Sequence, residues 1–246
     1  ECFIHGAICV GYSGRCFLSR SMSERSGNRG ACSQPCRLPW DLTDGAGHTY
    51  INKKHLLSVR DLNLAAHVGE LLDAGVTSFK IEGRLKDINY IRNVVAYYRR
   101  VVDEALALRP HLGRASVGES VPDFRPDPSK SFTRGESDFF FGGKCAGVAS
   151  FDTPKAVGEY VGRVKRVEGH AFRLESAPRS GAPGAAAAGE MISLAAGDGI
   201  CFRSGQGLWG TNVNAVAGTL ITPNRMEGIV PGAAVYRNYD RRFNRL

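Results

Sequence analysis

The sequence lacks several patterns that would place it at once in a common class. It has no apolar run long enough to span a bilayer, no signal-peptide pattern and no internal repeat. The serine-hydrolase elbow G-x-S-x-G and the zinc-protease pattern H-E-x-x-H are also missing. These absences argue against a membrane-spanning protein and against two common kinds of hydrolase. They favour a soluble protein of the cytoplasm.

The charge balance is moderately basic. Lys and Arg number 32 against 24 Asp and Glu, which gives a net charge of +8 over 246 residues. Basic proteins associate with polyanions, and RNA is the usual polyanion inside a cell. The excess of basic residues is spread over both halves of the chain. An ordinary basic surface therefore explains the net charge as well as RNA binding does.

The cysteines are unevenly placed. Five of the seven fall in the first 36 residues, and the other two are isolated. Clustering in a chain with enough apolar residues for a core indicates a metal or redox site rather than a disulfide framework. The five clustered residues are Cys2, Cys9, Cys16, Cys32 and Cys36.

The spacing of these cysteines leaves several chemistries open. Cys9 and Cys16 are followed by the C-x3-C pair Cys32 and Cys36, which fits two zinc knuckles poorly. Four thiolates can also hold an iron–sulfur cluster, and free thiols remain possible on spacing alone. The remaining cysteines, Cys2, Cys145 and Cys201, are interpreted as small buried hydrophobic residues.

Residues up to about 110 predict α/β units. "CFIHGAICV" predicts a strand, "NLAAHVGELLDAG" a helix closed by Gly75, and "VTSFKIEGR" a second strand. "DINYIRNVVAYYRRVVDEALAL" predicts a long helix capped by Asp87. Its predicted apolar face consists of Ile88, Ile91, Val95, Tyr98, Val102 and Ala105.

The remainder of the chain has a different pattern. A Pro-, Ser- and Gly-rich linker is predicted over 126–156, and short strands with turn signals follow from 157 to 246. These strands predict a small all-β barrel or sandwich, and "SGAPGAAAAGE" predicts a low-complexity loop inside it. The chain length allows only part of a full (β/α) barrel before residue 125.

Charged side chains near the predicted strand ends are candidate catalytic groups. Glu82 and His5 are candidates for acid–base chemistry, with Arg84 beside them, because active groups collect where parallel strands end. The alternatives are an internal Glu82–Arg84 salt bridge and a core histidine at His5. Arg15, Arg20 and Arg37 flank the cysteines and are candidates to bind phosphate or carboxylate groups.

Three stretches together resemble peptidase family U32, the collagenase-like family. They are "ECFIHGAICVGYSGRCFLS", "GNRGACSQPCR" and "LLDAGVTSFKIEGRLK". The resemblance implies the C-terminal part of a TIM-like barrel over 1–125, followed by the linker and a β-barrel. It also implies a [4Fe–4S] cluster on Cys9, Cys16, Cys32 and Cys36. The implied activity is hydroxylation of a pyrimidine in tRNA or 23S rRNA, with prephenate as a possible co-substrate.

Two alternative functions accompany this prediction. A U32-type peptidase would need a nucleophile and a base, for which Cys16 and His5 are the available pair. The β-domain could instead be an RNA- or protein-binding module, with Arg241 and Arg242 of "YRNYDRRFNR" contacting phosphates. The alternative for that segment is a solvated basic tail.

Overall fold

The computed structural model describes residues 1–84, 86–144, 147–178, 191–204 and 207–245. Cys145 and the whole of the predicted loop "SGAPGAAAAGE", residues 180–190, lie outside the described residues. The chain forms two compact units. The first contains Glu1–Gly6, Asn63–Thr133 and Val157–Leu246, and the second contains Ala7–Leu62 and Arg134–Ala156. The predicted boundaries near residues 125 and 157 stay a prediction.

The elements follow one another in a mixed α/β order. The helices are α1 (Leu18–Met22), α2 (Val68–Asp73) and α3 (Ile88–Ala107). The strands of the first 156 residues are β1 (Cys2–Gly6), β2 (Trp40–Thr43), β3 (Thr49–Lys54), β4 (Asp61–Asn63), β5 (Phe79–Ile81) and β6 (Glu136–Ser137). The later strands are β7 (Glu159–Glu168), β8 (Ala171–Ser176), β9 (Gly199–Ser204), β10 (Gly207–Ala217), β11 (Leu220–Pro223) and β12 (Ala234–Tyr239). No helix in these ranges combines the length and apolarity that crossing a bilayer requires.

The first unit begins with a parallel pair of strands, β1 and β5. Helix α2 precedes β5 and ends as the sequence predicts. Gly75 has φ +83°, and its amide donates to the Leu72 carbonyl at 2.9 Å while the Val76 amide donates to the Leu71 carbonyl at 2.9 Å. This is a Schellman C-cap, in which glycine adopts the left-handed conformation without strain.

Helix α3 has the predicted bounds and the predicted cap. The Asp87 carboxylate accepts a hydrogen bond from the Tyr90 amide at 2.8 Å, which satisfies one of the free amides of the first turn. Of the predicted apolar face only Tyr98 is buried, while Val102 and Ala105 are half-buried. Ile88, Ile91 and Val95 are 68%, 41% and 49% exposed.

Tyrosines replace the predicted aliphatic residues on the buried side of α3. The buried residues are Tyr90, Asn93, Val94, Tyr97 and Tyr98. Buried tyrosines need partners for their hydroxyls, and the Tyr98 hydroxyl oxygen lies 2.9 Å from two acceptors for its one proton, the Ile4 carbonyl and the Asn63 side-chain oxygen. The helix is therefore oriented by hydrogen bonds as well as by apolar contact.

The first unit also contains a closed six-stranded antiparallel barrel, which confirms the predicted small β-barrel. The strands are hydrogen-bonded in the order β10-β11-β8-β7-β12-β9, and β9 pairs with β10 to close it. Inward-facing residues alternate along the strands, as expected for a barrel interior. Phe172 and Phe202 lie at its centre, fully buried, with an edge-to-face contact at 5.4 Å between ring centroids.

The second unit has little regular structure. It contains α1, the antiparallel hairpin β2–β3 and the parallel pair β4–β6. Arg134 and Asp61 form a buried ion pair at 2.6 Å. Polar contacts of this kind, rather than a large apolar core, order the Gly- and Ser-rich loop at residues 7–37.

Candidate functional site

The loop of the second unit carries Cys9, Cys16, Cys32 and Cys36. Cys9 and Cys16 precede α1, and Cys36 lies in the short 3₁₀ turn Pro35–Arg37. The amide of Cys16 donates to the Asn28 side chain at 2.9 Å. Such side-chain to backbone bonds are what Ser and Asn supply in loops that have no ladder of their own.

The four thiols share one region of the loop. Burial raises the pKa of the Cys36 thiol above 9.0; Arg37 opposes this, and the negative charges that Cys32, Cys9 and Cys16 would carry raise the pKa further. Coulomb interactions of this kind weaken with distance, so the other three thiols each lie within electrostatic range of Cys36. The structure therefore brings together the four cysteines that the resemblance selects.

Gly11 lies next to two of the sulfurs. A Cβ atom at this position would lie 3.9 Å from the Cys16 sulfur and 4.0 Å from the Cys9 sulfur. A Cβ at Gly27 would lie 3.8 Å from the Cys32 sulfur. A side chain at either position would therefore contact a thiol directly, and glycine keeps the surface beside these sulfurs free of one.

Cys32 is held by hydrogen bonds from its surroundings. The Ser19 hydroxyl donates to its sulfur at 3.5 Å, and the amide of Gln34 donates to it at 3.3 Å. Ser19 is buried, and its hydroxyl also accepts from the Ser33 amide at 3.1 Å. Arg25 completes the frame by donating to the Cys32 carbonyl at 3.0 Å.

The arrangement fits some metal groups better than others. Within the described residues, no three or more His, Cys, Asp or Glu side chains are placed to hold a single metal ion. Structural zinc needs four ligands at bonding distance from one common ion, so these positions fit zinc poorly. Four thiolates are the donor set of an iron–sulfur cluster, so the chemistry of these four cysteines is compatible with one.

The predicted arginines have different surroundings. Arg37 donates to the Ser58 hydroxyl at 3.0 Å, the Val59 carbonyl at 2.7 Å and the Ile8 carbonyl at 3.0 Å. Burial lowers its pKa, and nearby Arg134 lowers it further. Arg37 therefore stabilises the loop through internal hydrogen bonds. Its role in binding substrate stays a prediction.

Arg15 and Arg20 are exposed. The Arg15 guanidinium lies 6.0 Å from the centre of the Tyr12 ring, and Arg20 forms a salt bridge with Glu24 at 3.3 Å. Exposed pairs of this kind contribute little stability, so both guanidinium groups are accessible to an anion.

His5, Glu82 and Arg84 belong to the first unit. His5 is buried, and its Nδ1 lies 3.3 Å from the Tyr98 hydroxyl. The Glu82 carboxylate accepts from the Arg84 amide at 2.8 Å, while the Arg84 side chain is exposed. Among the described contacts, no salt bridge joins Glu82 and Arg84. The contacts of His5 are those of a core histidine, and the catalytic roles of the three residues stay predictions.

Sequence reasoning missed the residues that position the loop. Ser19, Arg25 and Asn28 bind the cysteine segments, and Gln34 supplies its amide from a left-handed conformation with φ +56°. The available signal was the density of Ser, Asn and Arg in a Gly-rich loop. That density indicates hydrogen bonding to the backbone but does not reveal the partners.

Parallel strand pairs, a closed β-barrel and a four-cysteine loop define a class of mixed α/β proteins with a thiol centre. The sequence profile of peptidase family U32 matches residues 1–148. The chain belongs to peptidase family U32. No solved structure matches it.

Three relatives show the range of names in this family. The 23S rRNA 5-hydroxycytidine C2501 synthase of Escherichia coli is 47% identical over 167 residues, which is 68% of this chain and 26% of the relative. The tRNA hydroxylation protein P1 of Bacillus subtilis is 45% identical over 109 residues, 42% of this chain and 26% of the relative. A collagenase of Porphyromonas gingivalis is 37% identical over 103 residues, 42% of this chain and 28% of the relative. The chain thus spans about a quarter of the length of these relatives.

Proposed function

We propose that the chain is part of an iron–sulfur-dependent enzyme that hydroxylates a pyrimidine base of rRNA or tRNA. Cys9, Cys16, Cys32 and Cys36 would hold a [4Fe–4S] cluster, and the parallel strand pairs would belong to a TIM-like barrel. A cytoplasmic location and a prephenate-like co-substrate go with this proposal. The observation that carries it is the location of the four thiols in one loop, where the charges of Cys9, Cys16 and Cys32 act on Cys36 and a Cβ at Gly11 would contact both the Cys9 and the Cys16 sulfur.

The relatives support the RNA part of the proposal. Two of those described above are named for hydroxylation of 23S rRNA or tRNA, and each is at least 45% identical over the aligned part. The basic balance of the chain is suited to an RNA substrate, because each phosphate carries a negative charge. RNA modification by hydroxylation is therefore the function that sequence similarity favours.

A bound cluster would supply redox chemistry that the side chains of this loop do not have. The chain's own residues would hold it and adjust it: the Ser19 hydroxyl and the Gln34 amide donate to the Cys32 sulfur. Hydrogen bonds to ligand sulfurs are among the factors that set cluster potentials. Exposed Arg15 and Arg20 would attract the phosphates of RNA or the carboxylates of a small co-substrate.

Metal analysis tests the cluster directly. The chain should be purified without oxygen, and iron, acid-labile sulfide and zinc should be measured. We expect about four irons and four sulfides per chain, with a large loss in Cys32→Ser and Cys36→Ser. Cys2→Ser is the matched control because Cys2 lies in β1, outside the loop. Zinc at about one per chain, or no metal in any preparation, would contradict the proposal.

A chimaera tests the RNA reaction. This chain would replace its aligned quarter in the E. coli relative, in cells that lack the native gene. We expect 5-hydroxycytidine in 23S rRNA to be restored by the chimaera and lost again with Cys32→Ser. Full modification by the Cys32→Ser chimaera would contradict a role for the cysteine loop.

Peptidase activity is the alternative that the collagenase names support. Hydrolysis of denatured collagen by metal-free protein, lost in Cys16→Ser, would be evidence for it. His5, the predicted base, has Tyr98 as a buried neighbour in its own unit, which favours a structural role.

A further inference from the structure

The β-barrel has a polar cavity of about 380 Å³ on its surface. Its polar lining comes from strands β10 and β12 and the turn after β11, and it consists of Thr211, Asn212, Asn224, Arg225 and Asn238. A small-ligand site typically measures about 300–1,000 Å³. The cavity is therefore large enough for one nucleotide and too small for a folded partner.

Hydrogen bonds of the backbone and of one side chain stabilise the walls of the cavity. The Asn224 amide donates to the Asn212 carbonyl at 2.9 Å, and the Arg225 amide donates to the Thr211 hydroxyl at 3.0 Å. These bonds fasten the turn after β11 to strand β10. The backbones of Asn212 and Asn224 are thereby held next to each other on one wall of the cavity.

Asn238 reaches the cavity through an irregularity in strand β12. The pairing of β12 with β9 shifts register between Arg237 and Tyr239, so Asn238 lies at a bulge. Bulges redirect side chains and recur beside functional sites. Gly199 makes the space, because a Cβ atom there would lie 2.8 Å from the Asn238 side-chain oxygen and 2.9 Å from the Tyr239 Cβ.

The chemistry of the lining selects the ligand. A carboxamide offers a donor and an acceptor side by side, and the edges of nucleobases offer the complementary pair. Arg225 adds a guanidinium suited to phosphate, and the lining residues that the structure describes include no carboxylate. Together they match a base and its phosphate.

We infer that this cavity binds one nucleotide of single-stranded RNA, with Asn224 and Asn238 at the base and Arg225 at a phosphate. The inference rests on the proposed function, since it gives the β-barrel the task of holding the RNA substrate. It differs from the predicted contact by Arg241 and Arg242, because it depends on carboxamides as well as on charge.

Binding of a short RNA by this chain tests the inference. A fluorescent single-stranded oligonucleotide of about ten nucleotides is titrated while anisotropy is measured. We expect Asn238→Ala and Asn224→Ala each to weaken binding about tenfold. Arg225→Gln should reduce the slope of log affinity against log salt by about 1. Asn214→Ala is the matched control, because Asn214 is exposed on the same strand, β10, and does not line the cavity.

The outcomes separate this inference from the proposed function. Weaker binding by the two asparagine variants with normal binding by Asn214→Ala supports the cavity, whatever the iron content. Equal affinities for all variants, or no RNA binding by the unaltered chain, would overturn the inference even if the cluster forms. Free nucleoside monophosphate is added as a competitor: competition is expected, and its absence at saturating concentration would also count against a nucleotide site.

Discussion

The backbone amide of Gln34 donates a hydrogen bond to the sulfur of Cys32 at 3.3 Å. Gln34 achieves this from a left-handed conformation, with φ +56°, at the start of the turn that carries Cys36. Left-handed backbone is uncommon for residues other than glycine. The turn that begins at Gln34 thus places an amide beside the Cys32 sulfur and also contains Cys36.

Ser19→Ala should disturb this environment from the other side. The buried Ser19 hydroxyl joins the Cys32 sulfur to the Ser33 amide, and its loss leaves that amide without its acceptor. We expect the free energy of unfolding of the metal-free protein to fall by about 1–2 kcal/mol. With a cluster bound, the midpoint potential should become more negative, because a donor to a ligand sulfur is lost.

The control for Ser19→Ala is Ser21→Ala. The exposed Ser21 hydroxyl donates to the Leu18 carbonyl at 2.9 Å and does not contact a cysteine. Denaturant unfolding and a redox titration compare the two variants. An unchanged potential in Ser19→Ala would show that its hydroxyl does not influence the centre.

Gly11→Ala should separate stability from cluster binding. The added Cβ meets the Cys16 and Cys9 sulfurs at ordinary contact distances in the metal-free chain, so we expect stability to be kept or to rise by up to about 1 kcal/mol. We expect the same methyl group to obstruct a cluster held by Cys9 and Cys16, because it would contact both sulfurs. Iron and sulfide content should therefore fall.

Gly45→Ala is the matched control for that substitution. A Cβ at Gly45 would meet no atom within 4 Å, so iron content should not change. Full iron and sulfide in Gly11→Ala would show that a methyl group beside the Cys9 and Cys16 sulfurs does not obstruct the cluster.

Cys201 should make the stability of the protein depend on alkaline pH. Burial raises the pKa of this thiol from 9.0 to about 12. The unfolded chain loses the thiol proton near pH 9 while the folded chain keeps it, so the stabilisation is complete below pH 9 and declines as pH rises towards 12.

Cys201→Ala removes this proton linkage. Between about pH 9 and pH 10.5 the unfolding free energy of the unaltered chain should fall faster than that of the variant, by up to about 1.4 kcal/mol per pH unit. Urea unfolding across this range measures the difference. Parallel curves for the two proteins would contradict the prediction.

Arg237→Ala should be strongly destabilising. The buried Arg237 guanidinium contacts Glu159 at 2.8 Å, Asp240 at 3.2 Å and Asp198 at 3.6 Å, and all three carboxylates are buried. Its removal leaves them without their shared cation, at a cost of about 3–5 kcal/mol. Exposed Arg242→Ala is the control, and its unfolding free energy should change by less than about 0.5 kcal/mol. Equal stabilities would show that the carboxylates find other partners.

The sequence predicted local features of the fold better than tertiary ones. The Asp87 cap of α3 and the glycine at the end of α2 are encoded by neighbouring residues, and both are confirmed. The buried face of α3 was wrong because aliphatic spacing was counted, whereas Tyr98 is buried through bonds to Ile4 and Asn63, which are distant in sequence.

The candidate site likewise has parts that the sequence reveals and parts that depend on residues distant in sequence. The cysteine positions are visible in the sequence, and the structure brings the four thiols together. The three internal bonds of Arg37 join it to Ile8, Ser58 and Val59, and no local pattern predicts such partners. Asn238 reaches the barrel cavity only because of a register shift between two strands, which sequence alternation does not show.

Closure of the barrel limits how other extended chains can bind to it. Each of the six described strands from β7 to β12 is hydrogen-bonded on both sides. The edge strands of an open sheet have unpaired amides and carbonyls. An extended segment of another chain can pair with them, which leads to strand addition and aggregation. This barrel presents no such edge along those strands, so an extended chain cannot join it there as a further strand.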